Sequence, residues 1–282
     1  DTHVHCCDPA NARYPWLDAV SEPNRLFALE MLEEERLSAD VCEGILVQTS
    51  NRLEETRHML ESAVRFPWIK GIVAWLPLQD PSETARLLET EVLQQPLIRG
   101  IRHVLQDEAD PAWLLQDTVM ESLELIARAG FCFDFAGVNA AHLETAFKVS
   151  QKIPDLKLVL DHLNQPPASG SIDWAYWKIQ LKALADNKNA YAKISGLGTA
   201  LKKGDQWTPE DISPAIEFVL DCFGENRCFC GGDWPVTLEA GSYEKAWSNY
   251  RQVLLDLGDL DLQQKVLYQN AIDFYSISSD PL

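Results

Sequence analysis

The stretch Leu156-Lys-Leu-Val-Leu-Asp-His162 decides how this sequence is expected to fold. It is apolar at nearly every position up to Leu160 and turns polar only at Asp161 and His162. A strand with one solvated face would alternate apolar and polar residues, whereas a nearly continuous apolar run is typical of a parallel sheet that helices cover. The stretch therefore predicts a buried parallel strand with polar groups at its carboxyl end.

Segments of the same kind recur on both sides of this stretch, separated by helical patterns. We predict strands in the opening segment around His3 and His5 and at 44–48, 69–76, 98–105, 131–135, 156–162, 190–194 and 228–233. We predict helices at 53–66, 113–129, 140–152, 174–186, 214–223 and 242–257, and one that starts near Pro81 with Ser82 as its cap.

Eight strand and helix units predict an α/β fold, a (β/α)8 TIM barrel that forms a single domain over residues 1–282. A doubly wound open sheet is the alternative that the pattern leaves open. No low-complexity linker or internal repeat suggests a second domain.

Composition narrows the class of protein. Of 282 residues, 46% are hydrophobic and 24% are charged, which is typical of a globular chain. No apolar run of about 18 residues and no signal-like segment is seen, so a cytoplasmic protein is predicted. Because the sequence opens directly on a motif, the presence of an upstream segment is left open. The net charge of −19 argues against nucleic-acid or membrane partners, and a homo-oligomer remains an open possibility.

The seven cysteines are predicted to be reduced and mostly buried. Cys228-x-Cys230 lacks the spacing of the usual Cys-x-x-Cys metal and redox motifs, and adjacent Cys6-Cys7 is a poor chelating pair. Their position directly after the opening histidines still leaves a role at a site open for Cys6 and Cys7.

Two motifs far apart in sequence carry the candidate chemistry: Asp1-Thr-His3-Val-His5 and Gly231-Gly-Asp233-Trp-Pro235. In a strand His3 and His5 point to the same side, where both rings can reach one ion. Two imidazoles and the Asp233 carboxylate suit zinc or a similar divalent metal, with positions left for water or substrate. Since His-x-His pairs also occur by chance, the location of the two motifs in an α/β chain carries the argument.

In a barrel the site lies at the carboxyl ends of the strands. The polar and aromatic residues there are His3, His5, Gln48, Trp75, Arg102, His103, Asp134, Asp161, His162, Lys193, Ser195, Asp233 and Trp234. Alternation lets only one of Arg102 and His103 face inward, and we expect Arg102 to face the substrate. It also predicts that Asp161 lies on the opposite face from His162.

Lys193 is central in its strand, so it either lines the polar mouth or pairs with a carboxylate such as Asp161. The aromatic residues near the strand ends would form flat walls for a ring-shaped ligand or simply pack the rim. These are Tyr14, Trp16, Trp75 and Trp234.

Taken together, the motifs resemble the amidohydrolase-2 type of TIM-barrel metal-dependent hydrolases, and within it the sugar lactonases. The resemblance spans nearly the whole chain. It is carried by Asp1-Thr-His-Val-His5 with Asp8-Pro9, Tyr14-Pro-Trp-Leu17, Gly100-Ile-Arg-His103, Leu160-Asp-His-Leu163, Lys193-Ile-Ser-Gly-Leu197 and Gly231-Gly-Asp-Trp-Pro-Val236.

The resemblance implies a hydrolase that opens a small-molecule lactone, with a divalent metal ion such as zinc held by His3, His5 and Asp233, and with His162 as a further ligand candidate. Asp233 would be the general base, and His162 and Arg102 would stabilise charge on the carbonyl oxygen. The resemblance leaves metal-independent catalysis open. The implied substrate-binding residues are Arg102, His103, Trp75, Gln48, Tyr14, Trp16 and Trp234.

Three departures from the pattern bear on the substrate. Cys6-Cys7 stands where an aromatic pair is common, Gln165 where a lysine is common and Gly232 where a serine is common. These changes leave open a bulkier or less anionic lactone or ester. The rival functions are a metal-dependent decarboxylase and a ligand-binding barrel without catalysis.

Overall fold

The computed structural model describes residues 1–10, 12–14, 16–17 and 25–277, so Pro15 of the predicted aromatic motif lies outside the described residues. Seven parallel strands form one curled sheet in the order of the chain. They are β1 Gly44–Val47, β2 Ile69–Ala74, β3 Ile98–His103, β4 Cys132–Phe135, β5 Lys157–Leu160, β6 Ala190–Ile194 and β7 Cys228–Cys230.

Helices follow the strands and cover the sheet. They are α1 Glu33–Ser38, α2 Leu53–Arg65, α3 Pro81–Leu87, α4 Asp117–Arg128, α5 Ala140–Lys152, α6 Ile172–Ala185, α7 Leu197–Ala200, α8 Pro209–Phe223, α9 Tyr243–Leu257, α10 Leu260–Gln264 and α11 Asn270–Phe274. Within the described part of the chain, no helix has the length and apolar character needed to cross a membrane.

The opening segment joins the two edges of this sheet without forming a regular strand. Val4 makes isolated parallel bridges to Leu46 on one side and to Trp234 on the other. The His5 amide donates to the Trp234 carbonyl at 2.8 Å, and the Val47 amide donates to the Val4 carbonyl at 2.8 Å. Residues from both ends of the sequence are thereby held side by side.

Several local predictions were wrong. The opening segment is not a regular strand, and β7 ends at Cys230 rather than Asp233. Helix α8 begins at Pro209, because a Thr208 capping box precedes it and Pro214 is tolerated in its first turns. The cap of α3 is Asp80, whose side chain accepts from the Glu83 amide. The strand positions and most helix bounds agree with prediction to within a few residues.

Side chains on the inner face of the sheet form two layers. The lower layer is apolar and includes Val159, Tyr191 and Cys132. Since alternate residues share a face, the residues two positions further along the same strands are also inward, and these are Asp161, Lys193 and Asp134. The inner face therefore changes from apolar to charged toward the carboxyl ends of the strands.

Candidate active site

His3, His5 and Asp233 converge at the carboxyl end of the sheet. The Nε2 atom of His5 lies 3.5 Å from Oδ1 of Asp233, and Nε2 of His3 lies 3.7 Å from the same oxygen. The two rings meet edge to face with centroids 4.8 Å apart. The sequence prediction that these residues share one location is thus matched by the coordinates.

One nitrogen of each ring faces the common centre, and it can bind a metal there when the other nitrogen of the same ring carries the proton. For His3 that proton would lie on Nδ1, which is 3.6 Å from Asp161 Oδ1. His5 Nδ1 donates to the Val47 carbonyl at 2.7 Å, which leaves Nε2 as the ring nitrogen that can bind a metal. His3 Nε2 is buried and has no hydrogen-bond partner among the described residues. Ligands around a tetrahedral zinc ion at about 2.1 Å lie about 3.4 Å apart, close to the observed spacings. This donor set fits a divalent metal.

The backbone around Asp233 explains how its carboxylate is held. Asp233 has φ 57°, in the left-handed region, and its amide donates to the His3 carbonyl at 2.8 Å. A Cβ at Gly231 would lie 2.6 Å from the His3 side chain, so only glycine allows this approach. Burial acts to raise the pKa of Asp233, but the neighbouring His162 and His5 outweigh it and hold the pKa well below its usual value. The carboxylate is therefore charged at neutral pH.

A left-handed turn follows β5 and brings Asp161 and His162 into the same site. Residues His162, Leu163, Asn164 and Gln165 all have φ between 50° and 56°. Such values cost roughly 1 kcal/mol or more per residue, and they cluster at functional sites. The prediction that Asp161 and His162 lie on opposite faces was wrong, because alternation holds as far as Asp161 and the left-handed backbone of His162 then turns the next side chain toward the same site.

His162 lies beside the Asp233 carboxylate. Its Nδ1 is 2.8 Å from the Ser195 hydroxyl and 3.8 Å from Asp233 Oδ2. Gly196, with φ 61°, leaves room for this contact, since a Cβ there would lie 2.7 Å from Asp233 Oδ2. Burial lowers the pKa of His162, against the opposing effect of Asp233, so the ring is neutral at pH 7.

Behind the histidines lies a network of four buried charged groups. Lys193 Nζ is 2.5 Å from Asp134 Oδ2 and 2.9 Å from Asp161 Oδ1, and Arg102 Nε is 3.2 Å from Asp161 Oδ2. Burial alone would raise the pKa of Asp161, but Lys193 and His3 hold it well below its usual value. Burial would lower the pKa of Lys193, but Asp134 and Asp161 raise it. The predicted pairing of Lys193 with Asp161 is present.

A second histidine cluster surrounds His103 at the end of β3. Its Nδ1 accepts from the Trp75 indole at 3.3 Å, and its Nε2 lies 2.8 Å from Glu108 Oε1. The ring stacks on Trp113 with centroids 4.2 Å apart, and the Asn51 amide is 3.2 Å from Nε2. Trp113, Glu108 and Asn51 were missed because they come from loops and no local pattern in the sequence marks them.

The other predicted substrate-binding residues are divided between the site and its support. Trp16 is half-buried, with its ring 6.3 Å from that of His5. Gln48 and Arg102 bond to each other: Gln48 Nε2 donates to the Arg102 carbonyl and Arg102 Nη1 to the Gln48 carbonyl. Tyr14 and Trp234 are buried, with Trp234 packed edge to face on Phe27. Trp16 therefore lies beside the histidines. The remaining residues of this group are buried, and these are Tyr14, Gln48, Arg102 and Trp234.

The fold and the site together define an α/β enzyme with imidazole and carboxylate groups at the strand ends, a donor set that could hold a divalent metal ion. The amidohydrolase family model Amidohydro_2 matches residues 1–277. The chain therefore belongs to this amidohydrolase family.

Individual relatives extend this finding over the full chain. An L-fucono-1,5-lactonase of Burkholderia ambifaria is 30% identical over 285 residues, covering 98% of this chain and 95% of the relative. An L-fucono-1,5-lactonase of Burkholderia multivorans is 29% identical, covering 88% and 86%. A crystal structure of an amidohydrolase from Burkholderia multivorans with bound zinc superposes with a TM-score of 0.88 at 26% identity, covering 99% of both chains.

Proposed function

We propose that this protein is a hydrolase that opens a lactone ring, with a sugar lactone as the first substrate to test. The observation that carries the proposal is the convergence of His3, His5 and Asp233, with both Nε2 atoms within 3.7 Å of one carboxylate oxygen. The two L-fucono-1,5-lactonase relatives support the choice of a cyclic ester.

We also propose that the opening segment acts as the eighth strand of a (β/α)8 barrel and that residues 1–282 form one catalytic domain. Support comes from the hydrogen bonds that join this segment to β1 and to the residues after β7. Closure would set His3 and His5 beside Asp233, as the proposed chemistry requires.

His3, His5 and Asp233 would hold a divalent metal ion, for which zinc is the first choice, and His162 is a further candidate ligand. When bound, the ion would supply Lewis acidity toward the ester carbonyl and toward a water molecule. The zinc-bound amidohydrolase of similar fold supports this choice.

The side chains have separate tasks in ester opening. Asp233, charged at neutral pH, accepts the proton of the attacking water and later delivers it to the ring oxygen that leaves. His162, whose Nδ1 lies 2.8 Å from the Ser195 hydroxyl, lies beside Asp233 and in this proposal interacts with the developing negative charge. The carbonyl carbon gains the water oxygen, the ester bond breaks, and an open hydroxy acid results.

Arg102 is proposed to act through Asp161 rather than on the substrate directly, because its side chain is buried, with Nε 3.2 Å from Asp161 Oδ2 and Nη1 donating to the Gln48 carbonyl. Trp16 and the Trp75 and His103 pair are proposed to form the walls that contact the sugar ring. Tyr14, Gln48 and Trp234 are buried, and in this proposal they support the site by packing around it rather than by touching the substrate.

A pH-indicator assay with a panel of sugar and aromatic lactones tests the proposal, since opening a lactone to an acid releases a proton near neutral pH. Protein of measured metal content is compared with Asp233→Asn protein as the blank. Proton release that depends on Asp233 with at least one lactone is the expected result. No turnover of any lactone, or carbon dioxide release from an aromatic acid without ester cleavage, would overturn it.

A further inference from the structure

The left-handed turn after β5 is made of consecutive residues that are not glycine. His162, Leu163, Asn164 and Gln165 have φ between 50° and 56°. L-residues enter this region as single positions, because their Cβ comes too close to the next carbonyl oxygen. Within the turn the Gln165 amide donates to the His162 carbonyl at 2.8 Å. One local hydrogen bond does not offset a run of disfavoured residues, so contacts from outside the turn must hold it.

Two hydrogen bonds with other elements hold the middle of the turn. The indole N–H of Trp177 on α6 donates to the buried Leu163 carbonyl at 2.9 Å. The Asn164 side-chain amide donates to the carbonyl of Asn139, the cap of α5, also at 2.9 Å. A Cβ at Gly137 would overlap Asn164 Oδ1, so the Asn164 side chain is closely seated. A buried carbonyl that loses its donor is costly, and the Trp177 bond therefore favours the left-handed form of Leu163.

This turn decides where the His162 side chain lies. Asp161 faces the inner side of the sheet, so strand alternation would send the next side chain outward. The positive φ of His162 brings its ring inward instead, with Nδ1 2.8 Å from the Ser195 hydroxyl and 3.8 Å from Asp233 Oδ2. If the turn relaxed to extended backbone, the ring would leave the Asp233 carboxylate.

We propose that Trp177 is a positioning residue for His162: its indole N–H locks the left-handed turn and thereby keeps the His162 ring beside Asp233. Trp177 acts through the backbone of Leu163, and Asn164 is the second anchor of the same turn. The inference rests on the proposed function only for the task that His162 has in ester opening.

Modification of His162 by diethyl pyrocarbonate, followed by mass spectrometry of the peptide that contains it, tests the proposal. His162 is only 8% exposed and should react slowly in wild type. Trp177→Phe keeps an aromatic ring and removes the N–H donor, so His162 should react about 10-fold faster through the opened turn. Trp174→Phe makes the same change one turn earlier on α6 and should match wild type. His103, which is also buried, should react at the wild-type rate in every variant.

A rescue variant separates the lock from a packing role of Trp177. Gln165→Gly removes an exposed side chain and lets position 165 adopt its φ of 50° without strain. Combined with Trp177→Phe, it should return the His162 reaction rate toward wild type, because less strain is left to open the turn. Lost packing at Trp177 would not be restored by a glycine at an exposed position.

Three results would overturn the proposal. They are an unchanged His162 rate in folded Trp177→Phe, a rise that Gln165→Gly does not reverse, and an equal rise at His103. Asn164→Ala, with and without Gln165→Gly, decides by the same criteria if Trp177→Phe does not fold. Lactone hydrolysis is not part of this readout, so failure of the lactonase proposal and failure of this inference are distinguishable.

Discussion

Two histidine clusters lie at the same end of the sheet, and they differ in what is left for their ring nitrogens to bind. At His103 both nitrogens are engaged, one by the Trp75 indole and the other by Glu108. At His3 the Nε2 atom is buried and has no hydrogen-bond partner among the described residues. A histidine whose two ring nitrogens both have hydrogen-bond partners is suited to a structural role in the wall of the site. A histidine with one unpartnered ring nitrogen is suited to bind a ligand.

Burial does not separate the two clusters. His3 and His103 are both almost inaccessible, and burial lowers the pKa of each ring. The distinction lies in the hydrogen-bond partners alone, since an unpaired buried polar atom is costly unless something binds it.

The largest effect is expected for Asp233→Asn, which keeps the shape of the side chain and removes its charge. Loss of a general base should lower kcat by roughly 10²- to 10⁴-fold. Asp155→Asn, at an exposed loop position, is the matched control and should keep wild-type turnover. Steady-state kinetics by proton release measure both, and full activity in Asp233→Asn would exclude it as the base.

His5→Ala should weaken zinc binding by about 10²-fold or more, because the proposed ligand set loses one of three protein donors. Competition with a chromogenic chelator measures the zinc Kd. His58→Ala on helix α2 changes the same residue type outside the site and should bind zinc like wild type. An unchanged Kd in His5→Ala, with a weakened one in His103→Ala, would reverse the roles of the two clusters.

Gly196→Ala tests how closely Asp233 and His162 must approach. The new Cβ would lie 2.7 Å from Asp233 Oδ2 and 2.8 Å from His162 Nδ1, at a φ of 61°. We expect a loss of about 1–2 kcal/mol in stability from the left-handed backbone and a fall in kcat of about 10-fold from the displaced side chains.

Gly204→Ala is the control for Gly196→Ala, because Gly204 has φ 55° and no atom within 4 Å of its would-be Cβ. Thermal melts should show a comparable loss of stability in both variants, and kinetics should show a loss of turnover only in Gly196→Ala. Equal turnover in the two variants would mean that the close contact is not needed.

The smallest effect concerns acid stability at His103. Burial lowers the pKa of His103 despite Glu108, so the folded protein binds a proton there less readily than the unfolded chain, whose pKa is about 6.5. The stability that the neutral ring contributes is present above pH 6.5 and is lost as the pH falls below it.

His103→Gln should therefore lose less stability than wild type between pH 7.5 and pH 5, by up to roughly 1 kcal/mol. Urea unfolding at the two pH values measures the difference, with His58→Gln as the control. Parallel pH dependence in wild type and His103→Gln would show that protonation of this ring is not linked to unfolding.

Much of the framework could be predicted because its signals are local. The run at 156–160 and its counterparts predicted seven strands that the structure contains, and the His3, His5 and Asp233 convergence followed from strand ends meeting at one edge. The presence of Asp161 and His162 in one site could not be predicted, since it depends on a left-handed turn of non-glycine residues that begins at His162 and that local preferences disfavour.

The environment of His103 shows a different limit. Asn51 reaches it from the connection after β1, and Glu108 and Trp113 reach it from the connection between β3 and α4. The geometry of such connections depends on long-range packing rather than on a periodic pattern. Lys193 was recognised as a buried charge that needs a partner, but its contact with His3 became visible only with coordinates.

The Asp1 carboxylate accepts a hydrogen bond from the backbone amide of Gly232, which lies 231 positions later in the chain, and another from the hydroxyl of Tyr243. During synthesis, therefore, no ribosome-bound fragment that stops short of this region can assemble the proposed zinc ligands.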